Sequence, residues 1–120
     1  MKEQQGDLQR LKHILDCIID LDKILEGTGE EEFYRNKEKK YAVERILEII
    51  GEAVNKISDD ALSKSTADIP WRDIVAFRNI VSHEYFRVDY TMVFKIATEE
   101  IPGLQIAVEE LIDILSKNQT

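Results

Sequence analysis

The chain has 120 residues, of which 43% are hydrophobic and 33% charged, and its net charge at neutral pH is −8. This length suits one domain, residues 1–120, whose core needs no metal or disulfide. The single cysteine excludes an intrachain disulfide, and we find no run of eighteen apolar residues and no signal-type N-terminus. These features lead us to expect a cytoplasmic protein without a membrane partner. The acidic balance argues against a general nucleic-acid binder, because nonspecific affinity comes mainly from lysine and arginine.

The first predicted helix covers about residues 7–26 and ends at Gly27-Thr28-Gly29. Its apolar side chains recur at intervals of three or four, as in an amphipathic helix: Leu8, Leu11, Leu15, Ile18, Leu21 and Leu25. Cys17 lies within the same pattern and is expected to be an unreactive core thiol. His13 has no motif around it and is expected to be structural or exposed.

A second, longer helix is predicted across residues 30–58. It carries two apolar stripes, one of Ala42, Ile46, Ile49, Ala53 and Ile57, the other of Val43, Leu47, Ile50 and Val54. So wide an apolar arc is typical of a helix that is central in its bundle or shared with a second subunit. Residues 35–45 of this helix are basic on balance, and such a run is more often a solvated face than a binding surface.

The remaining residues predict two or three further helices. After a polar connection at 58–68, Pro70 suits the first turn of a third helix that ends close to His83. Asp89 can cap a fourth helix, which Pro102-Gly103 breaks or kinks. The third helix is expected to face the core with Ile74, Phe77 and Val81; the fourth runs through Met92, Val93, Ile96 and Ala97, and a last apolar stripe follows at Leu104, Val108, Leu111 and Leu115. Four or five helices with mostly short connections predict an all-α, antiparallel up-and-down bundle.

Residues 78–85 hold the most concentrated group of reactive side chains, with Arg78, His83 and Tyr85 within eight positions. Arginine grips phosphate oxygens, histidine changes protonation near neutral pH, and tyrosine offers a modifiable hydroxyl. On a continuous helix Arg78 and His83 would be roughly 140° apart. The guanidinium must therefore reach around the helix end, or two copies must face each other in a symmetric dimer.

These residue types suit cleavage of an RNA phosphodiester by attack of the neighbouring 2′-hydroxyl. A histidine can serve as the base or the acid, each worth about two to four orders of magnitude in rate. An arginine stabilises the negative charge that develops on the phosphorus oxygens. Neither a metal nor a cofactor is strictly required, and none is expected.

The R-x4-H-x-Y pattern of Arg78, His83 and Tyr85 resembles the HEPN superfamily, specifically the HepT-like ribonuclease toxins of prokaryotic toxin-antitoxin modules. Flanking blocks that look like that family's, in the same order, are AVER (42–45), LEIIGEA (47–53), IPWRDI (69–74), YF (85–86) and VD (88–89). The resemblance covers about residues 7–116, nearly the whole chain.

The resemblance implies an all-helical, commonly dimeric HEPN bundle. In it, Arg78 and His83 form a metal-independent endoribonuclease centre near the subunit interface, and Asn79 is a supporting polar neighbour. It also implies a cognate nucleotidyltransferase antitoxin of the MNT type that transfers AMP to Tyr85. A departure from the pattern is Glu84, where small residues are frequent; its carboxylate would raise the pKa of a neighbouring histidine or repel substrate.

Two alternatives accompany this interpretation. The first is a noncatalytic binding partner of the minimal nucleotidyltransferase, which the overall acidity favours. The second is a di-metal site on Glu44, Glu48 and Glu52, which lie on one helical face but lack the usual Glu-x-x-His pairs. The same three carboxylates would otherwise form a solvated or ion-paired face, or orient Arg45, Arg72 or Arg78.

Overall fold

The structure, a computed structural model, describes residues 2–78 and 88–117. Its helices are α1 (Lys2–Leu25), α2 (Glu30–Arg35), α3 (Lys37–Asn55), α4 (Asp59–Leu62), α5 (Trp71–Val75), α6 (Tyr90–Lys95) and α7 (Ile101–Lys117). A 3₁₀ turn, Ala76–Arg78, extends α5, and a π turn, Ile96–Glu100, joins α6 to α7. The described residues include no strand, so the predicted all-α class is confirmed.

The three long helices form the bundle, with α1 packed against both α3 and α7. Asp7, near the start of α1, accepts hydrogen bonds from Ser58, just beyond the end of α3, so these two helices run antiparallel. Asp7 is only 2% exposed, and it accepts from the Ser58 amide at 3.1 Å and the Ser58 hydroxyl at 2.7 Å. The same hydroxyl accepts from the amide of Ala61 and caps α4. One buried carboxylate thus ties three helices together.

The core lies where the apolar faces of these helices meet. The predicted last stripe is confirmed, because Leu104, Val108, Leu111 and Leu115 are all buried. Cys17 is buried as predicted, and burial raises the pKa of its thiol, with further contributions from the nearby Asp20 and Asp16. His13 is exposed, and none of the helices in the described ranges is long and apolar enough to cross a membrane.

The prediction of a single helix over residues 30–58 is wrong, since the chain breaks at Asn36 into α2 and α3. Asn36 adopts an extended conformation, and its side-chain oxygen accepts a hydrogen bond from the amide of Lys39 at 3.0 Å. Asparagine favours this capping geometry over a helix interior. The break lets α2 turn Phe33 into the core against Phe94, with 5.1 Å between the ring centroids.

The predicted connection at 58–68 contains the short helix α4 and is held against α7. Glu110 of α7 accepts from the amide of Thr66 at 2.8 Å and from the hydroxyls of Thr66 and Ser65. These bonds hold the pKa of the Glu110 carboxyl below its usual value. The side chain of Glu110 therefore holds the connection at 58–68 against α7.

Asp89 caps α6 as predicted, accepting from the amides of Thr91 and Met92. Pro102 does not break the last helix, which runs through it as α7. Instead the preceding turn widens to the π form, and Thr98 donates its hydroxyl to the carbonyl of Phe94 at 2.8 Å. A proline inside a helix removes one amide donor and crowds the preceding turn, and a wider turn is one way to accommodate it.

Candidate active site

Arg78 closes the 3₁₀ turn at the end of α5 and is half-buried. The other predicted site residues, Asn79, His83 and Tyr85, lie outside the described residues, as do Glu84 and Val81. The predicted meeting of the Arg78 guanidinium with the His83 imidazole therefore stays a prediction.

Two buried side chains fix the turn that carries Arg78. Ile74 of α5 and Phe77 of the turn are 5% and 4% exposed, so the turn is anchored in the core by apolar burial. Pro70 stands at the N-cap, one position before the first helical residue, and its carbonyl accepts from the amides of Asp73 and Ile74. Arg78 thus ends a short, doubly anchored segment.

Gly51, in the middle of α3, is the residue at which that helix contacts the motif turn, which comprises the end of α5 and the 3₁₀ turn that carries Arg78. A methyl group in place of its hydrogen would lie 2.9 Å from the amide nitrogen of Arg78, 2.9 Å from the carbonyl oxygen of Ile74 and 3.1 Å from that of Val75. The two backbones therefore touch with no side chain between them. Gly51 was not among the predicted site residues, although a glycine inside a strong helical pattern is the usual sign of such an approach.

Three glutamates lie on one face of α3, and each has different surroundings. The carboxylate of Glu44 lies close enough to the hydroxyl of Tyr90 to affect its pKa, and its Oε1 is buried without a hydrogen-bond partner in the described part of the chain. Glu48 forms an ion pair with Arg45, one of the pairings considered from the sequence. Glu52 is exposed. Nowhere in residues 2–78 and 88–117 do three or more potential metal ligands cluster.

Tyr90, a second tyrosine close to the motif, is engaged in the fold. Burial raises the pKa of its hydroxyl, and the nearby carboxylate of Glu44 raises it further. The ammonium of Lys40 lies 4.8 Å from the centroid of its ring. A phenol that stays protonated is a poor nucleophile, so the structure disfavours Tyr90 as a modification site.

The basic run at 35–45 is largely paired within its own neighbourhood. Arg35 binds Glu31 at 2.7 Å, Lys39 binds Glu32 at 2.9 Å, and Arg45 pairs with Glu48. Because the partners are nearby acids, the run has the character of an ion-paired surface.

A cleft of about 550 Å³ opens beside the motif turn, between α5 and α6. Phe77 and the half-exposed Met92 contribute its apolar part, while Asp73, Asp89 and Glu100 stand among its lining residues. Lys95 is the one cation among the described lining residues, so the cleft is negative on balance and disfavours binding of a phosphate.

Comparison with known proteins matches the chain to a family of ribonucleases. The model of the family described as "Ribonuclease HepT-like" matches residues 14–111. No solved structure matches the chain.

Individual relatives cover most of the chain. A protein of Methanocaldococcus jannaschii named a putative RNase is 39% identical over 82% of this chain and 90% of its own length, and a second from the same organism is 40% identical over 91% and 90%. A protein of Thermococcus cleftensis named "Probable ribonuclease HepT" is 35% identical over 92% of this chain and 98% of its own length. The region that the family model matches includes both the described site and the residues around His83.

Proposed function

Because the chain belongs to the HepT-like ribonuclease family, we propose that it is a metal-independent endoribonuclease and the toxin of a toxin-antitoxin module. The family match over residues 14–111 carries the proposal, since it spans the whole R-x4-H-x-Y motif. The position of Arg78 supports it, because a half-buried arginine at the end of an anchored turn is well suited to stabilise developing phosphate charge.

In the proposed reaction, His83 removes the 2′-hydroxyl proton or protonates the leaving 5′-oxygen, and Arg78 binds the phosphate oxygens. Asn79 orients the side chain of His83 or of Arg78 by hydrogen bonding. A homodimer would supply the facing copy of the site. The N-terminal part of α3 suits that contact, because Ile46 and Ile49 are only partly buried and Tyr41 of the same helix is 56% exposed.

Cleavage of a labelled single-stranded RNA by the purified chain in the presence of EDTA tests the nuclease. We expect His83→Ala and Arg78→Ala to lose activity by at least about 100-fold. The matched control is His13→Ala. It removes the only other histidine of the chain, which lies at an exposed position of α1, and the variant should cleave RNA like the parent. Parent-like cleavage by His83→Ala would refute the proposal.

We further propose that an MNT-type nucleotidyltransferase neutralises the toxin by transferring AMP to Tyr85. Adding nucleotide phosphate two residues after His83 would place negative charge and bulk where RNA phosphate must lie. Intact-mass measurement after co-expression with that enzyme should show added units of AMP on the parent and on Tyr90→Phe, but not on Tyr85→Phe. Modification of Tyr85→Phe at the parent level would contradict this assignment.

A second candidate is a noncatalytic partner subunit of the nucleotidyltransferase. The net charge of −8 and the carboxylates of the α5–α6 cleft favour it, because both weaken attraction to RNA. The same cleavage assay decides between the two, since this candidate predicts that the parent is as inert as His83→Ala while still binding the transferase.

A further inference from the structure

We propose that Gly51 is a positioning residue for the active site: its missing side chain sets the distance between α3 and the turn that carries Arg78. This inference rests on the proposed ribonuclease function of Arg78. Gly51 itself is buried and lies on a different helix from the motif.

The geometry leaves the motif turn little freedom at this contact. A Cβ at position 51 would approach three backbone atoms, the amide nitrogen of Arg78 and the carbonyl oxygens of Ile74 and Val75, at 2.9 to 3.1 Å. A side chain could rotate away from such an intrusion, but backbone atoms can retreat only if the whole turn moves. That turn is itself held by the buried Ile74 and Phe77. An atom added at position 51 must therefore push α3 and this turn apart, and Arg78 ends the turn.

The expected displacement is small on the scale of the fold and large on the scale of catalysis. Ordinary contact with a Cβ begins at 3.4 Å, so the distance between position 51 and the Arg78 amide must increase by roughly 0.5 Å from 2.9 Å. Misplacement of a catalytic group by about 1 Å can cost about 100-fold in rate, so we expect a loss of about 10-fold or more. Binding of RNA does not require the catalytic geometry to be exact and should change far less.

Gly51→Ala tests the inference, with Gly103→Ala as the matched control. Gly103 lies in α7, and a Cβ added there would have no atom within 4 Å, so the same substitution meets open space. We expect Gly51→Ala to lower the single-turnover cleavage rate at least about 10-fold while the Kd for a noncleavable RNA stays within about 3-fold of the parent. Gly103→Ala should match the parent in both. A parent-like rate for folded Gly51→Ala would overturn the inference.

A role through Arg78 also predicts non-additivity. Combined with Arg78→Ala, the Gly51→Ala substitution should cause no further loss of rate, because the group that it displaces is already absent. A full additional loss in the double variant would show that position 51 acts on something other than Arg78, and would overturn the inference.

Two measurements keep the test decisive if these variants fold poorly or the parent proves inactive. Phe77→Leu loosens the same turn without any atom added at position 51, and it should lower the rate with little change in Kd; an unchanged rate would refute the inference.

If neither the parent nor Arg78→Ala cleaves RNA, the proposed function fails by itself. The backbone amide signals of Arg78 and Val75 in NMR spectra then decide: they should shift in Gly51→Ala and not in Gly103→Ala, and unchanged signals would refute the displacement.

Discussion

Replacing Asp7 by alanine should destabilise the protein far more than its place near the start of the first helix suggests. Its carboxylate is 2% exposed and accepts two hydrogen bonds from Ser58, across 51 positions of sequence. Each hydrogen bond to a charged group contributes about 1.5 kcal/mol at the low end, so the pair contributes about 3 kcal/mol. The better helix propensity of alanine offsets roughly 0.5 kcal/mol. We expect a net loss of about 2.5 kcal/mol.

This loss can be measured by urea denaturation and by thermal melting. For 120 residues the entropy of unfolding is about 0.25 kcal/mol/K, so the midpoint should fall by about 10 °C. Asp22→Ala is the matched control, because it makes the same substitution at an exposed site of the same helix, near the end where an acid is unfavourable. It should be neutral or slightly stabilising.

An Asp7→Ala protein whose free energy of unfolding lies within about 0.5 kcal/mol of that of Asp22→Ala, the range of ordinary surface changes, would refute this expectation. A double-mutant cycle with Ser58→Ala gives a second check. The two substitutions should be strongly non-additive, because each removes hydrogen bonds from the same pair of residues. Additive losses would assign the stabilisation to other contacts.

Three further outcomes are expected. Asn36→Ala removes the cap of α3 and should lower the free energy of unfolding by about 1 kcal/mol in urea denaturation, whereas Asn55→Ala, at the last position of the same helix, should not. Because the folded-state pKa of Glu110 is depressed, its contribution is present above the unfolded value of 4.5 and is lost as pH falls through the folded value. The difference in melting temperature between the parent and Glu110→Gln should therefore shrink below about pH 4.5; a constant difference down to about pH 3 would contradict it. Burial and the raised pKa of Cys17 predict slow alkylation by iodoacetamide at about pH 8 in the native protein and fast alkylation in urea; equal rates would show an accessible thiol.

Local chemistry made much of this fold predictable. The apolar spacing of Leu104, Val108, Leu111 and Leu115 led directly to a buried helix face, and Asp89 led to a cap. The break at Asn36 was missed because the hydrophobic pattern continues on both sides of it. The cap that Asn36 forms and the packing of Phe33 against Phe94 together explain why the chain turns there.

The site was less predictable, because its key contacts join residues far apart in sequence. The motif identified Arg78, but spacing along one helix could not reveal that Gly51 lies against its backbone. Likewise, the three glutamates of α3 looked equivalent, yet Tyr90 distinguishes Glu44 and Arg45 distinguishes Glu48. Such distinctions depend on which helices become neighbours, and periodicity does not specify that.

The local pairing of Arg35, Lys39 and Arg45 with glutamates has a bearing on how this protein would find its substrate. Cations already neutralised by neighbouring carboxylates release few counterions when a polyanion arrives. A plot of log Kd for RNA against log salt concentration should accordingly be shallow for this chain. In the proposed ribonuclease, recognition of RNA would then depend on contacts close to the cleaved bond more than on long-range electrostatic attraction.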